Sequence, residues 1–88
     1  MMNQAKIAEA KAAVAELGAL TTATPERIAE VQASIDTMAA AVDAGSELEH
    51  FHTGVLNATV ARVGAAVVVR INATTATGRS KMKNFDVA

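Results

Sequence analysis

The stretch PERIAEVQASIDTMAAAVDAG, residues 25–45, places large apolar side chains at Ile28, Val31, Ile35, Met38 and Val42. Their spacing of three, four, three and four is the a/d pattern of a coiled-coil seam. Both ends of the stretch are punctuated. Thr24 stands at the N-cap position, Pro25 is the first helical residue, Glu26 sits in the first turn and Gly45 follows the last apolar position. The pattern predicts a helix from Pro25 to about Ala44. A seam this narrow cannot bury itself, so it needs a partner: the chain's own N-terminal segment, or the same helix in another subunit.

Upstream, Asn3 to Leu17 repeats the spacing with Ile7, Ala10, Val14 and Leu17, and Gly18 reads as its stop. Only six residues, 19–24, separate the two helical segments, which favours a hairpin over a broken rod. Downstream the signals conflict. Ser46 and Glu49 have capping-box spacing, and Leu56, Val60, Val63 and Val67 recur at helical intervals. Against a third helix stand Gly54, Gly64, the β-branched run Val67-Val68-Val69, and the period-two set Val63, Val67, Val69 and Ile71. The tripeptide Asn-Ala-Thr occurs at 57–59 and again at 72–74, at what would be equivalent places on two strands. The fold class expected is α+β: an N-terminal helical pair with a coiled-coil-like seam, then an extended or β segment and a tail arm. An all-α three-helix arrangement is the alternative. Residues 1–49 form the helical oligomerisation half and residues 50–88 the extended half with its C-terminal arm, within one small domain.

Composition argues for assembly. A chain of 88 residues buries only about 60–65% of the surface its unfolded form exposes. Ala supplies 21 of the 45 hydrophobic residues, and the aromatic anchors are limited to Phe51 and Phe85. With no Cys there is no disulfide to compensate, so oligomerisation is the favoured remedy. Charge is segregated: residues 1–49 carry −5 and residues 50–88 carry +4, which favours contact between unlike ends of neighbouring copies. The tail from Ala73 onward is rich in Thr, Gly, Ser and Lys, with Met82, Phe85 and Val87 as its apolar residues. It reads as an arm, with Met82 and Phe85 docked on a neighbour and Arg79, Lys81 and Lys83 facing that neighbour's acidic half. The oligomer interface is thus expected at Ile7, Val14, Leu17, Ile28, Val31, Ile35, Met38, Val42, Met82 and Phe85. The longest apolar run, Val63 to Val69, is far too short to span a bilayer, and residues 1–15 lack a secretory signal's apolar core.

Signals for chemistry are sparse. Ser34, Ser46 and Ser80 sit in no nucleophile elbow, no Gly-rich phosphate loop follows a strand, and Glu26/Glu30 and Glu47/Glu49 read as solvated carboxylates. The basic cluster Arg79, Lys81, Lys83 has no aromatic interleaving and the pI is about 6.0, which argues against a dedicated nucleic-acid binder. The segment Glu47-Leu48-Glu49-His50-Phe51-His52 puts two imidazoles on one face of a strand. Over these three residues, His50 to His52, it resembles the His-x-His pattern at the iron-binding tips of trimeric phage spike proteins. That resemblance implies a shared metal site on a threefold axis. The sequence by itself supports the simpler expectation of solvated His side chains at a polar joint, with no metal and no cofactor.

The expected function is therefore a non-enzymatic structural assembly protein, a cement, adaptor or fibre-type subunit of a phage virion. Its partners would be other copies of itself and further structural subunits. Two alternatives belong to other classes: a helical filament or secretion-type subunit or partner-helix-binding regulator, and a trimeric metal-binding tip protein using His50 and His52.

Overall fold

The computed structural model describes residues 2–52 and 54–88. Two helices, α1 (Gln4–Gly18) and α2 (Pro25–Asp43), precede four strands, β1 (Leu48–His52), β2 (Leu56–Val63), β3 (Ala66–Thr74) and β4 (Ser80–Asp86). The strands form one antiparallel sheet in the order β1-β2-β3-β4. The fold is α+β, and the three-helix alternative is not supported.

Both helices start where the sequence signals them. The Asn3 side chain accepts from the Lys6 N–H at 3.1 Å, and the Thr24 hydroxyl accepts from the Arg27 N–H at 3.2 Å. Each bond satisfies one of the amides that a first turn leaves unpaired. The helices fold back as an antiparallel hairpin, held by Gln32 Nε2 donating to the Lys11 carbonyl (2.9 Å) and by Lys11 Nζ on Asp36 Oδ2 (2.7 Å). Gly18 permits the close approach at the hairpin's end: a Cβ there would lie 2.7 Å from Ile28 Cγ1. The last turn of α2 contains no basic residue, and β2 supplies one. Arg62 Nη2 donates to the Val42 carbonyl at 2.6 Å, placing a guanidinium at the negative end of the helix.

Ser46 and Glu49 do not start a helix. The Ser46 hydroxyl bonds directly to Glu49 Oε2 at 2.6 Å as the chain bends into β1, so the box residues satisfy each other. From there alternation takes over. Leu56, Ala58 and Val60 on β2, and Val67, Val69, Ile71 and Ala73 on β3, are buried beneath the helices, while their intervening neighbours point to the other face. The β2–β3 hairpin closes through the two residues Gly64-Ala65. Gly64 has φ +61 and Ala65 does not have positive φ, as a type II′ turn with Gly at its first central position requires. The repeated tripeptides do mark equivalent places: Asn57 and Asn72 are cross-strand partners, and both face away from the helices.

The C-terminal stretch is a strand rather than an arm. Residues 80–86 pair along β3, and Val87 is fully buried, its N–H donating to the Val67 carbonyl (2.9 Å) and its carbonyl accepting from the Asn3 N–H (2.6 Å). Exposure of one face and one edge explains why its sequence looks arm-like. The helical and extended halves share a single core of eighteen buried residues, with Met2, Ile28, Phe51 and Phe85 packed at its margin. β1 begins at Leu48, so the helical half ends a few residues earlier than position 49.

Three substitutions probe this packing by urea unfolding. Ile35 is wholly buried between helix and sheet, so Ile35→Ala is expected to cost about 2–5 kcal/mol and Ile35→Asp to abolish folding. Arg62→Met should cost about 1–2 kcal/mol through the lost helix-end bond.

Candidate functional site

The helices cover one face of the sheet and leave the other open, and that open face carries most of the uncommitted chemistry. Three rows of side chains cross it, fixed by the strand register. The first runs Leu48, Ala61, Val68 and Asp86; the second His50, Thr59, Arg70 and Asn84; the third His52, Asn57, Asn72 and Met82. Within the second row, His50 Nδ1 lies 2.7 Å from Thr59 Oγ1, and Arg70 Nε donates to Asn84 Oδ1 at 3.1 Å. These bonds hold an imidazole and a guanidinium in place on otherwise solvated ground. At one end Leu48, Ala61, Val63 and Val68 form a shallow apolar depression bordered by Thr59 and Arg70.

His50 and His52 stand side by side on this face, their rings stacked at 5.9 Å between centroids and 24° between planes. Strand alternation brings them together, as the sequence indicates. Two imidazoles from one chain make an incomplete ligand set. Among the described residues no group of three or more His, Cys, Asp or Glu side chains gathers where an ion would sit.

The residues expected at an oligomer interface divide into two groups. Ile7, Val14, Leu17, Val31, Ile35, Met38 and Val42 are buried inside the chain's own core, Ile28 is half-buried beside them, and Phe85 packs at its edge. The partner that the helical seam needs is the sheet of the same chain, aided by the other helix, so the seam does not require a second subunit. Met82 alone of the ten remains largely exposed, at 54%, on the outer strand β4. Lys83 meets an acid of its own chain, Glu16 Oε1, at 3.4 Å. This ion pair is solvent-exposed and contributes little to stability.

Sequence reasoning missed Leu48. It is 60% exposed on β1, the opposite outer strand, and together with Leu20, Val63 and Met82 it accounts for the large apolar side chains left in water among the described residues. Its signal was its place in an alternating edge segment, which a capping-box reading obscured. No polar or charged side chain is buried among the described residues, and none of the described helices is long and apolar enough to cross a membrane.

Compared with protein-family models, with curated proteins and with solved structures, the chain matches none.

The two-imidazole arrangement sets an expectation for metal content. Chain equilibrated with Zn²⁺ or Ni²⁺ and passed through gel filtration should retain substoichiometric metal by elemental analysis. A stoichiometric ion lost in a His50→Ala, His52→Ala double variant would instead establish a shared site built between chains.

Proposed function

We propose that the chain is a non-enzymatic structural subunit that works through contacts with further copies of itself and with other structural proteins of a larger particle. The observation that carries this reading is the distribution of apolar surface. The core is closed, yet Leu48 and Met82 remain in water on the two outer strands, flanking a sheet face that neither described helix covers. Outer strands present ready-made templates for a further strand, and each of the two here carries an exposed apolar residue.

A phage virion is the setting proposed. Its support is compositional: a small, Cys-free, Ala/Thr/Val-rich subunit suits a repetitive particle assembled in a reducing cytoplasm.

A regulator that binds a partner helix is less well supported, since its apolar helix faces would first have to leave the sheet. The metal-binding tip keeps one favourable observation, the stacked pair His50 and His52 on an open face, which a threefold assembly would multiply.

Light scattering on the purified chain across a wide concentration range tests the proposal. Mass is expected to rise with concentration above the 9.0 kDa of one chain while helical signal stays constant. A mass fixed at one chain throughout, with cooperative thermal unfolding, would contradict it.

A further inference from the structure

The backbone at the two sheet edges specifies how copies of this chain would join. The Arg62 N–H donates to the Glu47 carbonyl at 2.9 Å, so the odd-numbered residues at β1 bond inward to β2. By alternation Leu48, His50 and His52 turn their N–H and C=O groups outward. On β4 the Val87 N–H donates to the Val67 carbonyl, so Ser80, Met82, Asn84 and Asp86 turn outward in the same way. On both strands these even-numbered residues also point their side chains to the open face. Strand directions alternate through the sheet, so β4 of one copy and β1 of the next would run antiparallel, the geometry of every pairing already present. Joining even to even residues pairs the backbone and keeps all helices on one side.

We propose that β4 of one copy adds antiparallel to β1 of a second copy, with Met82 opposite Leu48, Lys81 opposite Glu49 and Lys83 opposite Glu47. The occupant of each free edge is thus another molecule of this chain. This register covers the two edge apolar residues with each other on the open face. On the helix-covered side and its continuation it sets two lysines against two glutamates, opposite charges that stabilise directly opposed cross-strand pairs. Lys83 already has Glu16 within 3.4 Å, and that exposed pair is weak enough to be shared or exchanged. The segregation of charge between the two halves of the chain then has a physical use: acids lie on the edge that enters first and bases on the edge that leaves last. Because the two edges differ, the contact is heterologous and propagates into an open row of subunits, or a ring if the accumulated sheet twist closes it.

The proposal rests on the assembly reading above, and its test separates the two. Light scattering and negative-stain microscopy at low and high salt would compare the full chain with three variants, each checked for native circular dichroism. Met82→Pro removes an outward N–H together with the apolar side chain set opposite Leu48, and leaves the ladder to β3 intact; it is expected to halt growth. Lys81→Glu, at an exposed residue, and Glu49→Lys, at a half-buried one that also gives up the Ser46 bond, should each raise the concentration for half-assembly roughly tenfold at low salt. An equimolar mixture of Lys81→Glu and Glu49→Lys chains should recover most of that loss, because each offers the charge the other needs. If the chain assembles but all three variants assemble equally well and mixing changes nothing, the edge pairing is wrong and the assembly reading stands. A wild-type chain that stays at one subunit at every concentration removes both.

Discussion

The fold depends on one contact, the seating of the α2 stripe on the inner face of the sheet. Val31, Ile35 and Val42 lie on one side of that contact and Leu56, Val60, Val69 and Ile71 on the other, all with no solvent exposure. Each side chain of this size stabilises the folded state by about 1.5–3 kcal/mol when fully buried. In a chain with two Phe and no Trp or Tyr, no other group of residues can supply as much. The β-meander alone would have one apolar face in water, and the helical hairpin alone would have a bare stripe. Each provides the other's missing layer. Arg62 reinforces the contact by tying the end of α2 to β2, and the Asn3–Val87 and Leu20–Ala76 backbone bonds tie the start of α1 and its connector to the two ends of β4.

The many alanines take on a different meaning once both layers are in place. Ala10, Ala13, Ala39, Ala58 and Ala73 are buried at 3% exposure or less. Small residues at a helix–helix and helix–sheet contact let backbones approach closely, so that Val and Ile can fill the remaining space at native density. A composition that suggests a diluted core thus describes a thin, close-packed one. Gly18 is the extreme case, with Ile28 and Leu56 occupying the space where its side chain would be.

Local signals carried the helices well and the sheet only in part. The caps at Asn3 and Thr24, the proline at position 25 and the seven-residue spacing placed α1 and α2 within a residue or two of where they lie. Period-two alternation placed β3, because both its neighbours and its core face are apolar enough to show it. β4 was illegible for a physical reason: it is an outer strand whose stretch 80–84 is exposed throughout, and what makes it a strand is its pairing with residues six to eighteen positions earlier. The same non-locality misdirected the interface expectation. A seven-residue stripe states that a helix needs an apolar partner, not whether the partner is another subunit or a sheet later in the same chain. The stacked His pair followed from strand alternation, whereas the pairing of Leu48 with Ala61 and of Met82 with Asn72, which defines the two edges, required the register.

With the helical stripes closed inside the chain, association does not draw on them, and the helices must be as stable in a lone subunit as in an assembly. Amide hydrogen exchange followed by NMR at low and at high chain concentration measures this directly, since it reports protection at each backbone N–H. The account predicts that Val31, Ile35 and Val42 in α2, and Val69 and Ile71 in β3, keep the same strong protection at both concentrations, while the outward amides of Leu48, His50, Met82 and Asn84 gain protection only at the higher one. Loss of protection at Val31, Ile35 and Val42 on dilution, with the edge amides unchanged, would contradict it and return the helical stripe to an intersubunit role.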